Sequence, residues 1–134
     1  MKPLLLLFAI LMLHACANAP KTASGDKHPE GELLLTSVQG YNVASEELTF
    51  TFNTEDHKVS GEAGCNHFSA NYDRDKNNIS FDSAVSTKKY CEYHQEMENK
   101  ILSALSEVSK FVRDGNEYLF YSQKGDLLFT LKKY

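Results

Sequence analysis

In ELTFTFN, residues 47 to 53, apolar and polar side chains take turns: Leu48, Phe50 and Phe52 face one way, Thr49 and Thr51 the other. Side chains that repeat every two residues define a strand with one buried face, since successive Cβ atoms point to opposite sides of a pleated backbone. The pattern returns at Phe68, Ala70 and Tyr72, and at Ile79 and Phe81 after the turn-forming group Asp75-Lys76-Asn77-Asn78. Near the end, EYLFYS and DLLFTLKKY flank Gln123-Lys124-Gly125-Asp126, whose glycine supplies the positive φ that a hairpin turn wants. Short strands with closely spaced turns predict a mainly β, α+β fold: an antiparallel sheet curled into a barrel.

One segment has a different period. At 100° per residue from Tyr93, the side chains of Tyr93, Met97, Ile101, Ala104 and Leu105 fall at about 0, 40, 80, 20 and 120°, a single apolar face. Glu92, Glu96, Asn99, Lys100 and Ser103 lie outside that arc. This predicts one packed amphipathic helix of about fourteen residues, with Glu92 and Glu96 near its positive end. Val108, Phe111 and Val112 can continue the helix or begin a strand, and the turn Asp114-Gly115-Asn116 favours the strand.

The first fifteen residues, MKPLLLLFAILMLHA, give a positive end at Lys2 and an apolar run from Leu4 to Leu13 that is too short to span a bilayer, the form of an export signal. Two cleavage sites compete. Ala17-Asn18-Ala19 has the small-x-small form, but Pro20 would follow the cut and constrain the backbone there. Leu13-His14-Ala15-Cys16 resembles the lipobox of bacterial lipoproteins. That resemblance implies lipidation of Cys16 by a diacylglyceryl thioether and a further chain on its amine, hence a membrane partner through the N-terminal lipid. It also implies a lipid-anchored protein of the cell envelope, and the absence of aspartate at Ala17 and Asn18 points to the outer membrane.

From Ala17 to Glu32 no apolar side chain exceeds alanine or proline, too little to offset the ordering of the backbone. The expected organisation is a signal at 1–15, a lipidated cysteine and flexible tether at 16–32, and one folded domain at 33–134. Loss of residues 1–15 removes one lysine and no acid, leaving 13 basic against 18 acidic residues, a net charge of −5. No nucleic acid partner is expected, because phosphate binding requires a basic face.

The stretch GEAGCNHFSANY, residues 61 to 72, concentrates unusual residues. Gly61 and Gly64 read as bracketing the end of one strand and the start of the next, and Asn66 as bridging backbone groups at that corner. With Cys16 carrying lipid, Cys65 and Cys91 remain, and an exported protein usually oxidises such a pair. The bridge would fasten the sheet corner to the start of the helix. The alternative is zinc, since Cys65-x-His67 and Cys91-x-x-His94 supply two sulfurs and two imidazoles. The expectation is no metal and no cofactor, because an oxidising compartment disfavours free thiolates. Catalytic residues are expected to be none. The same bridge claims the cysteines that a Cys-His nucleophile would need, Asp56, His57 and Ser60 crowd one strand end, and no glycine-rich loop opens a helix.

VSGEAGCNHFSANY, NNISFDSAVSTKKYC, KILSALSEVSKF and YLFYSQKGDLLFTL together resemble the META domain, the heat-shock lipoprotein family. The family's Gly-Cys-Asn-x-Phe followed by Tyr is met by Gly64, Cys65, Asn66, Phe68 and Tyr72, and its Thr-x-x-x-Cys by Thr87 and Cys91. The chain departs in having no tryptophan in its first strand and in carrying Lys88-Lys89-Tyr90 before the second cysteine. The resemblance implies a small barrel-like domain on an envelope lipoprotein, with Gly64, Cys65, Asn66, Phe68, Tyr72, Thr87 and Cys91 as a structural signature. Heat inducibility and antibiotic tolerance are associated with the family, and no established reaction is.

The leading expectation is a noncatalytic envelope lipoprotein that contributes to stress or antibiotic tolerance by binding an unknown protein or envelope component. A second is a small-molecule carrier that uses a barrel interior lined by Phe50, Phe52, Phe68, Tyr72 and Phe120. A third is a zinc-dependent enzyme.

Overall fold

The computed structural model describes residues 27–92 and 94–134. Among them the elements run β1 (Gly31–Val38), β2 (Tyr41–Asn42), a short 3-10 turn (Ala44–Glu46), β3 (Thr49–Asn53), β4 (Lys58–Ala63), β5 (Asn66–Asp75), β6 (Asn78–Phe81), β7 (Val85–Ser86), α1 (Gln95–Glu107), β8 (Val108–Asp114), β9 (Glu117–Ser122) and β10 (Leu127–Lys132). Hydrogen bonding passes from β1 through β3, β4, β5, β6, β8 and β9 to β10, and β10 pairs back onto β1. The sheet is therefore a closed antiparallel barrel, and closure removes the free edges that an open sheet would present. Three register shifts, at Leu35/Ser37, Val108/Lys110 and Leu127/Phe129, mark bulges that bend the strands. The first carries inward facing from Leu33 and Leu35 on to Val38.

The alternation of the sequence becomes the barrel's inside and outside. Phe50, Phe52, Phe68, Tyr72, Phe120 and Phe129 all point inward and are buried. Their rings touch: Phe50 meets Phe68 edge-on at 4.9 Å, and Phe120 stacks on Phe129 at 4.5 Å and on Phe52 at 6.2 Å. The aromatic residues expected to line a ligand chamber thus pack on one another as a core, which is how small barrels usually fill.

The two mouths are closed differently. At the first, Gly31 pairs with Phe52, Pro29 is fully buried, and the Tyr118 hydroxyl donates to the His28 carbonyl at 3.2 Å. Folded structure therefore reaches back to residue 28, whereas the sequence placed tether up to 32. Composition could not show this, because a lone proline plugs a mouth by its position and not by any pattern. At the second mouth lies α1, packed against β1, β4, β6 and β10 through buried Ile101, Ala104 and Leu105. The barrel closes between β6 and β8 through one ladder pair, Asn78 with Lys110. The helix begins at Gln95 with His94 as its N-cap, two residues later than the sequence expectation, and Tyr93 lies outside the described residues. It ends where Val108 turns to extended backbone and starts β8.

At the first mouth, burial pushes the Tyr72 and Tyr118 phenols above their ordinary value of 10.0; Arg74 and Arg113 pull them down, and Glu30 adds to the rise. Folding holds these protons more tightly than the unfolded chain does. The associated stability is present below pH 10 and is lost as pH rises through the folded values. Ultraviolet titration is expected to show these two tyrosines ionising late, together with alkaline unfolding; a titration in which all tyrosines ionise together near the ordinary value would contradict it.

Candidate functional site

The second mouth gathers most of the signature residues. Asn66, 3% exposed, opens β5 opposite Ala63. Its amide nitrogen donates to the Lys89 carbonyl at 3.0 Å and to Glu98 Oε2 at 2.7 Å, and its oxygen accepts from the Lys89 N–H at 2.9 Å and from the Thr87 hydroxyl at 2.7 Å. Two donors and two acceptor sites are all an asparagine side chain offers, so every one is used. Thr87 extends the network, its Oγ1 accepting from the His67 N–H at 3.1 Å and its own N–H donating to the His67 carbonyl at 3.0 Å. The Ser86 hydroxyl donates to the other oxygen of Glu98 at 3.1 Å. One strand start, one loop and one helix are thereby fixed together.

Beside this latch Cys65 and Cys91 stand at disulfide distance, with Cα atoms 6.4 Å apart, inside the range a bridge spans. Gly64 completes the corner. Its φ is +70°, a left-handed conformation, and a Cβ there would come within 2.7 Å of the His94 Cβ at the helix cap. Gly64→Ala is expected to cost about 2 kcal/mol, from backbone strain and displacement of the helix start. A midpoint shift in thermal unfolding measures it, and an unchanged midpoint would contradict the close approach.

Gly61 has another reason than the one read from the sequence. It lies inside β4, paired with Phe50 on one side and Phe68 on the other, not at a strand end. A Cβ there would run into the Thr49 carbonyl and approach within 2.9 Å of the Phe68 ring. Phe68 and Tyr72 belong to the core, with the Tyr72 hydroxyl donating to the Asn53 carbonyl at 3.3 Å and its ring stacked against His57 at 5.6 Å. The signature therefore divides into a latch and a barrel lining.

The zinc set does not assemble. Cys65 and Cys91 face each other, exposed His67 points to Glu62 at 3.8 Å on the outer wall, and His94 stands exposed at the N-cap position with no side-chain capping bond. Among the described residues no group of three or more histidine, cysteine or acidic side chains stands in metal-binding arrangement. Asp56 accepts from the Asn53 amide at 2.9 Å in the β3–β4 turn, and Ser60 points outward from β4. Cys16 lies outside the described residues. Sequence reasoning missed Ser86 and Glu98; the available signal was the position of Glu98, about 140° from Tyr93 and so at the border of the apolar arc.

Around the latch, Lys88, Lys89, Tyr90, Gln95, Asn99 and Leu102 rim a surface hollow of about 250 Å³, with Asn66 and Glu98 in its floor.

A family model described as META domain matches residues 28–134. Three solved structures share the fold. A protein solved by NMR is 24% identical, with a TM-score of 0.60 over 77% of this chain and 88% of its own. An NMR structure of a protein from Burkholderia xenovorans is 17% identical, with a TM-score of 0.63 over 86% and 96%. The crystal structure of a DUF4847 family protein from Bacteroides vulgatus is 12% identical, with a TM-score of 0.56 over 77% and 92%. No curated protein matches the sequence.

Proposed function

Since this chain belongs to the META domain family, we propose that it is a noncatalytic lipoprotein of the cell envelope that supports stress or antibiotic tolerance by binding an envelope component at the rim around Asn66. The observation that carries this reading is the two-ended barrel. The chain enters at the first mouth, where Pro29 is buried and Tyr118 holds His28, while the rim lies at the opposite mouth beside α1. The polypeptide leading from Cys16 would therefore join the fold at the end opposite the rim. The packed aromatic interior supports this reading over a carrier, and the opposed cysteines support it over a zinc enzyme.

The test has two arms. Cys16→Ser is expected to move the protein from the membrane to the soluble fraction of cells. A deletion strain is expected to lose tolerance to heat, detergent or antibiotics and to regain it with the native chain but not with Cys16→Ser. Unchanged fractionation together with a wild-type deletion phenotype would overturn the proposal.

A further inference from the structure

The rim loop pairs a tightly held backbone with free side chains. Asn66 binds both the N–H and the C=O of Lys89, Thr87 is tied to His67, and Cys91 faces Cys65. Yet Lys88, Lys89 and Tyr90 are exposed, Tyr90 at 83%. Ordering a residue's backbone costs about 1–2 kcal/mol, and here that ordering puts none of these three side chains in the core. Its effect is to hold beside the hollow the backbone from which two ammonium groups and a phenol extend, the arrangement by which a rigid scaffold displays binding groups.

The lining decides the class of ligand. At about 250 Å³ the hollow is smaller than the roughly 300–1,000 Å³ that takes drug-sized molecules. A stable protein partner needs about 800 Å² per side around an apolar centre, and Tyr90 and Leu102 are the large apolar side chains here. Gln95 and Asn99 stand one helical turn apart, so their amides present donors and acceptors side by side, suited to neighbouring hydroxyls. The Tyr90 ring offers a flat apolar face with a polar tip. Lys88 and Lys89 add two positive charges at the rim against the one carboxylate of Glu98, whose two oxygens already accept hydrogen bonds from Asn66 and Ser86, which leaves a net positive charge that favours an anionic group there. We propose that the hollow binds an anionic saccharide, one that carries a carboxylate or a phosphate. The inference deepens the envelope-binding reading and rests on it.

The test uses the purified full chain, titrated calorimetrically with trigalacturonate, a glucosamine phosphate, maltotriose and triglutamate. One or both acidic saccharides are expected to bind at least about tenfold more tightly than the neutral sugar or the peptide, and which of the two binds identifies the acidic group. Tyr90→Ala, and Lys88→Gln with Lys89→Gln, are each expected to weaken binding about tenfold. Melting temperatures should stay unchanged, because these side chains are exposed. Triglutamate binding as tightly and surviving Tyr90→Ala would overturn the proposal in favour of an acidic-peptide surface. Failure of both acidic saccharides would overturn it while membrane anchoring and the deletion phenotype still uphold the envelope reading.

Discussion

Asn66→Leu is expected to lower the free energy of unfolding by about 3 kcal/mol. Leucine branches at the same atom but carries bulkier methyl groups in place of the amide, so the change removes the hydrogen bonding and adds some overpacking at this buried site. It strands the Lys89 N–H and carbonyl, the Thr87 hydroxyl and one oxygen of Glu98, all partners of a single buried amide. Each unpaired group costs about 1–3 kcal/mol when water cannot replace the lost partner. The Lys89 and Glu98 groups border the hollow, so water will reach some of them and hold the total below the full sum. Against a typical stability of about 5–15 kcal/mol the loss is large. Asn66→Asp keeps the two acceptor bonds but sets a carboxylate against that of Glu98, so it should rescue little. Chemical denaturation measures both variants, and a cost for Asn66→Leu within about 0.5 kcal/mol of zero, the range of ordinary surface substitutions, would show that the latch contributes no stability.

Replacing Cys65 and Cys91 together by alanine is expected to cost about 3.5 kcal/mol, from the loop-closure entropy of a bridge spanning 26 residues. The bridge and the Asn66 latch restrain the same loop from two sides. Their losses should therefore be non-additive, with the triple variant more unstable than the sum of its parts, because either restraint alone already orders the segment between Ser86 and Cys91 and so buffers the loss of the other. Additive costs would indicate that the two act on independent parts of the fold.

Much of the barrel was legible because its information is local. The alternation at Leu48, Phe50 and Phe52 and at Phe68, Ala70 and Tyr72 needs no partner to be read, and both groups are buried in the core. The apolar face of Ile101, Ala104 and Leu105 was equally plain, and it is the face that α1 buries. What escaped depends on register and on contact across the chain. Gly61 is small because Phe50 and Phe68 flank it on neighbouring strands, and nothing within four residues of it says so. The Pro29 plug and the partnership of Glu98 with Asn66 and Ser86 join residues far apart in sequence. The exposed Lys88-Lys89-Tyr90 was visible only as a departure from a family pattern, because a surface gains meaning from how firmly the backbone beneath it is held.

That the two mid-chain sulfurs are joined, leaving neither free to react, is tested most directly by alkylating the natively purified protein before and after reduction and weighing it intact. The expected result is no alkylation of Cys65 or Cys91 before reduction, two alkyl groups gained after it, and a lower melting temperature for the reduced chain. Alkylation of both residues in natively purified protein that was never reduced would contradict it and return the thiols to the reactive readings.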